Sequence, residues 1–302
     1  MIWLLFALMG ALFDSLYSAT SKKLLKQADV FVVGSGAMFS SFVVLIIVSF
    51  LAGFPAITDP LFIYYIIASA FLDMVGISLF LKAIKESEIS LVLPFSSFTL
   101  VFLVVVSFFV LGELPSAAGI AGILLVFLGS YIVNLKAGPG PSSSTGLTTL
   151  SVYSKLYSPI REMARNRGII YMLLFTVVSA FVVTMNKLFI MGSDQFFGPA
   201  INSLFIGVFL LAAALLSGKR VFVYYRKSGH SLFLLGSLNA VMRMFLATAL
   251  LLQIAPYVIS VKRFSIIFGV LWGYLLFKEK AAARRFWGAI IMLLGIILIS
   301  VF

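Results

Sequence analysis

The chain has 302 residues, 62% of them hydrophobic and 11% charged, with a net charge of +12 and a mean hydropathy of +1.17. The charged fraction is about half that of soluble domains, so one water-facing core cannot hide the apolar surface and the solvent must be lipid. There are no cysteines, and the single histidine, His230, is read into a basic loop; disulfides, thiolate zinc sites, cysteine nucleophiles and histidine metal clusters are excluded.

Ten apolar stretches can each supply a span of about 20 residues. They cover 2–21, 31–53, 61–82, 89–111, 116–135, 169–191, 196–217, 231–253, 256–277 and 285–302. Turn and charge signals separate them, such as Lys22-Lys23 to Asp29, Gly53 to Pro60 and Gly112 to Pro115. Backbone polar groups must pair within the segment in lipid, so the spans read as helices; the alternating short segments of a barrel do not occur. One connection is long. Residues 136–168 contain a flexible run from Gly138 to Gly146, then a basic stretch from Lys155 to Arg167. That stretch is a solvated loop or, alternatively, an interfacial helix. No cleavable signal peptide is expected, because the first apolar run continues the pattern of the others.

All but four of the 22 lysines and arginines fall in alternate connections, at 22–26, 82–85, 136–167, 219–227 and 278–285. Their placement argues for membrane topology rather than nucleic acid. The positive-inside rule makes that face cytoplasmic and puts both termini outside. The two halves also repeat at an offset of 166: Phe98 matches Phe264, Glu113 matches Glu279, Gly122 matches Gly288 and Gly129 matches Gly295. Five helices per half is an odd number, so the second half enters from the opposite side. The expected fold is all-α, ten transmembrane helices in two inverted five-helix repeats. The repeats are 1–135 and 169–302, joined by the 136–168 loop.

Leu111-Gly-Glu-Leu-Pro-Ser116 with Gly119, Gly122 and Gly129 resembles the fourth-to-fifth helix signature of EamA-domain proteins of the drug/metabolite transporter superfamily. Phe277-Lys-Glu-Lys280 with Gly288 and Gly295 resembles its second copy. The resemblance implies ten helices around a central cavity and alternating access by a transporter in the cell membrane.

The four remaining cations, Lys187, Arg243, Lys262 and Arg263, fall inside spans, with Asp14 and Asp73. Ionisable groups in hydrocarbon are costly and mark functional sites by default. At 1.5 Å rise per residue, Lys187 lies about 6 Å, Lys262-Arg263 about 9–10 Å and Arg243 about 15 Å below the outer boundary. Asn239 shares a helix face with Arg243, and Ser260 with Arg263, whereas Lys262 points about 100° away from Arg263. A cationic pocket suits a phosphate or carboxylate. The alternative is structural: the aspartates neutralise two of the cations, and Lys187 snorkels to the interface. Ser96 and Ser97 occupy the repeat positions of Lys262 and Arg263, and either complete an anion site or pack helices. Glu113 and Glu279 are read as caps of the helices that follow them.

Ser260-Val-Lys-Arg263 is also similar to the Lys-Arg pair on the ninth helix of plastid sugar-phosphate translocators. That resemblance implies a phosphate grip by Lys262 and Arg263, with Lys187 as the counterpart of an assisting lysine on helix 6. The expected function is therefore secondary transport of a small organic anion. The substrate set is Lys262, Arg263, Arg243, Lys187, Asn239, Ser96 and Ser97, with Asp14 and Asp73 as candidates for proton or charge coupling. A proton-coupled exporter of amino acids or drug-like metabolites and a lipid-phosphate flippase stay open. No enzyme activity, metal or cofactor is expected. The partners are a small-molecule substrate and the bilayer, with no nucleic acid; a homodimer stays open.

Overall fold

The computed structural model describes residues 2–25, 27–87, 92–134, 166–218, 221–269, 271 and 283–301. Among these residues there are ten α-helices with described bounds, a further helical stretch at 265–269, and no strand. The first five are α1 (Ile2–Leu24), α2 (Val30–Ala52), α3 (Phe62–Glu86), α4 (Thr99–Leu111) and α5 (Ala117–Asn134). The rest are α6 (Arg167–Met191), α7 (Phe197–Leu216), α8 (Val221–Leu252), α9 (Ala255–Lys262) and α10 (Ala283–Val301). Six of them, α1, α2, α3, α6, α7 and α8, are long and apolar enough to cross a bilayer; shorter apolar helices cover Phe95–Leu111, Ala117–Val133 and Trp287–Val301. Leu51 and Phe109 are each 78% exposed. Such surfaces are liabilities in water and natural faces toward lipid.

Local chemistry sets the helix ends. The Asp29 carboxylate accepts from the Phe31 N–H at 3.0 Å and starts α2. Asp194 accepts from the N–H groups of Phe196 and Phe197 at 2.9 and 2.5 Å and starts α7. Side-chain oxygens here satisfy amides that lack an intrahelical partner. Gly112 ends α4 at φ +69°, the left-handed position that glycine takes without a Cβ clash.

Two spans differ from the sequence expectation. Helix α8 begins ten residues earlier than the expected 231 and bends at Ser228, whose φ and ψ are −120° and 18°. Val221 is buried against Val32 and Ala214, and the Tyr225 hydroxyl donates to Ser35 Oγ at 2.7 Å. That docking holds 221–227 as helix, so Arg226, Lys227 and His230 are helical rather than looped. The expected span 256–277 is not one continuous α-helix. Helix α9 ends at Lys262, and Phe264, Ile266 and Ile267 donate to the carbonyls of Val261, Arg263 and Phe264. Those i→i−3 bonds tighten a turn at Arg263-Phe264, after which residues 265–269 are again helical, so the helix is interrupted rather than ended. The first half has its own 3-10 segment, Leu93–Phe98, with Pro94 at its start. Most of the 136–168 loop, and Glu279 with Lys278 and Lys280, lie outside the described residues.

Helix α1 packs on α8 and α3 on α6; α2 packs on α7 and α5 on α10. The α5–α10 contact is made by glycines. A Cβ on Gly122 would lie 2.8 Å from the Gly295 carbonyl oxygen, and one on Gly129 would lie 2.6 Å from that of Gly288. Small residues let membrane helices approach backbone to backbone, where dispersion replaces the missing hydrophobic drive.

Candidate functional site

A cavity of about 290 Å³ lies between α3, α6, α7, α8 and α9. Helix α6 lines it with one face, Phe175, Ser179, Val182, Asn186 and Phe189, spaced by three and four residues. Helix α8 adds Met242, Arg243, Leu246 and Leu250, helix α9 adds Ile259 and Lys262, and α3 adds Asp73. The walls are apolar except near Asp73, Arg243, Lys262, Ser179 and Asn186. Few polar groups in a mostly apolar concavity is the usual form of a small-molecule site.

Arg243 is held in place by neutral groups. Its Nε donates to Asn239 Oδ1 at 3.0 Å and its Nη1 to Asn202 Oδ1 at 2.9 Å. Asn239 Oδ1 also accepts from the buried Ser41 hydroxyl at 3.2 Å. Amide oxygens orient the guanidinium fork without cancelling its charge, which leaves that charge available to an oxyanion. Asp73 lies within electrostatic range of both Arg243 and Lys262.

A second cavity, of about 460 Å³, lies between α1, α2, α3 and α7. Tyr17, Ser21, Val33, Met38, Phe80 and Leu210 line it, and Asp73 and Arg243 line it as well. It sits toward the end of the bundle that carries Lys22, Lys23, Lys82 and Lys85. The first cavity extends the other way, toward Phe189, Ile190 and Pro199. Arg243 and Asp73 thus line both cavities.

The adjacent pair Lys262-Arg263 divides, as the 100° turn between neighbours requires. Lys262 lines the first cavity, and its Nζ lies 3.7 Å from Asp14 Oδ1. Arg263 turns away, and its Nη2 donates to the Ser96 carbonyl at 3.0 Å. The turn after Lys262 and the 3-10 segment of the first half therefore touch each other. Arg263 Nε is buried without a hydrogen-bond partner among the described residues. Ser97 is fully buried and accepts from the Ser130 hydroxyl at 2.7 Å, which makes it a packing contact between the 3-10 segment and α5. Ser96 meets Arg263 through its backbone.

Lys187 stands apart. Its Nζ forms an ion pair with Glu113 and donates to the Gln253 carbonyl at 2.6 Å. Both side chains are about nine-tenths buried, so Lys187 does not snorkel. Glu113 Oε2 accepts from the Ala255 N–H at 2.8 Å. It caps α9, not the α5 helix that follows it in sequence. The junction ties α4, α6, α8 and α9 together and removes one positive charge from the intramembrane balance. Asp14 and Asp73 then stand against Arg243, Lys262 and Arg263, one positive charge in excess among these five groups.

Three groups were not expected from the sequence: Asn202 and Asn186, and Glu113 as a counter-ion. Asn202 is buried in α7 and Asn186 accepts from Ser69 at 2.6 Å. An uncharged amide inside an apolar run was the available signal, weaker than that of a charge.

Comparison with known proteins gives three findings. No curated protein matches the sequence. A solved structure titled "Crystal structure of protein" superposes with a TM-score of 0.70 at 10% identity, covering 98% of this chain and 94% of that one; at that identity the likeness speaks for the fold alone. The third finding comes from the family models, where residues 1–135 fit that of the EamA-like transporter family. The apolar helices and this match make the chain a multi-pass membrane protein. Residues 1–135 therefore carry an EamA-like transporter domain, of the drug/metabolite transporter superfamily.

Proposed function

We propose that this protein is a secondary transporter that binds a small organic anion, phosphorylated or carboxylated, at Arg243 and Lys262 and moves it by alternating access. The observation that carries the reading is that Arg243 lines both cavities. A site that serves two sides of a membrane must be reachable from each in turn. The neutral amide cradle favours an anion, because it holds a charged fork with no carboxylate hydrogen-bonded to it among the described residues. The charged residues that line the first cavity, Asp73, Arg243 and Lys262, sum to one positive charge, which matches a singly charged anion.

An inverted-repeat architecture fits the packing. Exchanging α1–α5 with α6–α10 turns the α1–α8 contact into α6–α3, and maps α2–α7 and α5–α10 onto themselves. Gly122 meets Gly295 while Gly129 meets Gly288, the reciprocal pairing that a two-fold relation requires. The basic loops argue for cytoplasmic placement of their face and for outward termini, in a cell membrane.

In proteoliposomes screened with labelled monocarboxylates and monophosphates, Arg243→Ala and Lys262→Ala are each expected to lower anion exchange by about 30-fold or more. That matches the ~2 kcal/mol or more lost with one partner of a desolvated charge contact. Exchange at the wild-type rate in both variants overturns the reading. A second reading, proton-coupled export, is favoured by Asp73, which lines both cavities and carries a proton-binding group. It expects uptake driven by a pH gradient to vanish in Asp73→Asn; the anion-exchange reading expects exchange without a pH gradient to persist in that variant.

A further inference from the structure

The ion pair between Asp14 and Lys262 joins a site to a group outside it. Lys262 lines the first cavity; Asp14 does not. Asp14, Tyr17 and Ser21 follow one another at three and four residues and share a face of α1, and Tyr17 and Ser21 line the second cavity. The Asp14 and Lys262 side chains are 24% and 31% exposed, at 3.7 Å. That is a loose, partly exposed contact, unlike the buried Lys187–Glu113 pair. Asp14 also lies within electrostatic range of Arg263.

We propose that Asp14 is an internal stand-in for the substrate: its carboxylate neutralises Lys262 when the cavity is empty and is displaced when an external anion arrives. The inference rests on the reading of the cavity as an anion site. A lysine ammonium is a movable point charge on a four-carbon stem, suited to exchanging one carboxylate for another. A loose pair is easily broken; a buried one is not. Two consequences follow. Asp14 weakens substrate binding by competition. It also lets the empty protein change state without an unpaired ammonium in the membrane, which permits net flux in addition to exchange.

The test uses the full-length protein in detergent and benzoate as the probe anion, with thermal stability as the readout, since a ligand of the folded state raises it by mass action. In Asp14→Asn the benzoate concentration giving half the maximal stabilisation is expected to fall about two- to fivefold, the range a partly exposed ion pair supports. In Asp14→Glu, whose longer arm keeps the carboxylate, it is expected to stay at or above the wild-type value. The double variant D14N/K262M is expected to be indifferent to benzoate. A benzoate response in D14N where the wild type shows none supports the proposal equally. An unchanged or raised midpoint in D14N, with K262M insensitive, overturns the proposal and leaves the anion site standing. If K262M responds as the wild type does, or if neither the wild type nor D14N responds, the anion-site reading itself fails. Should D14N not fold, D14E decides: a midpoint below that of the wild type overturns the proposal.

Discussion

Glu113→Ala is expected to lower the unfolding free energy by about 3–5 kcal/mol, the cost of removing one partner of a buried ion pair. The Lys187 ammonium would remain about nine-tenths buried, with only the Gln253 carbonyl as acceptor. The Ala255 N–H at the start of α9 would lose its acceptor as well. Denaturant unfolding of the purified protein in detergent measures the effect. The double variant E113Q/K187M separates charge from packing. The amide oxygen it introduces still accepts from the Ala255 N–H, and no charge stays buried, so its stability is expected within about 1 kcal/mol of wild type, as for neutral replacements of buried pairs. A double variant as unstable as Glu113→Ala would show that shape, not charge, holds the junction. Lys187 is outside the cavity, so the double variant should keep the benzoate response of the wild type.

Gly129→Leu is expected to cost about 3 kcal/mol, the upper range of overpacking. Its Cβ alone would lie 2.6 Å from the Gly288 carbonyl oxygen and 2.8 Å from Met292 N. Both are backbone atoms of a helix and cannot rotate away as a side chain does. Gly288→Leu is expected to cost as much, because the contact is reciprocal: its Cβ would lie 2.8 Å from the Gly129 oxygen. Gly229→Ala is the control. Nothing lies within 4 Å of that Cβ, so the change should be neutral or stabilise α8 by up to ~1 kcal/mol through helix propensity. Thermal unfolding of the three variants ranks them. Equal stability of Gly129→Leu and the control would mean that α5 and α10 are not in close contact in the membrane.

Much of the fold can be read from the chain. The apolar runs are helical among the described residues, six of them as single helices long enough to cross a bilayer, because a backbone in lipid has few other ways to pair its polar groups. The helix starts at Asp29 and Asp194 are local chemistry, legible within three residues. The errors came where local signals were weak. Polar residues before 231 looked like a loop, and only the docking of Val221 and Tyr225 on α2 shows them as helix. The break after Lys262 carries no glycine or proline to announce it.

For the site, the chain's order of residues is enough to show which charges fall within apolar stretches and that Lys262 and Arg263 cannot face the same way. Both follow from hydropathy and from the 100° step of a helix. It did not determine which charges remain unpaired. Lys187 looked equivalent to Arg243, yet its counter-ion, Glu113, comes from a connection in the other half of the chain, and Arg243 rests on Asn202 from a neighbouring helix. Coulomb and hydrogen-bond energies act over a few ångströms, whereas these partners are tens of residues apart. Only tertiary packing brings them within that range, and so only it decided that Lys187 is a structural tie, that Arg263 faces the Ser96 carbonyl, and that Arg243, Asp73 and Lys262 meet at one cavity.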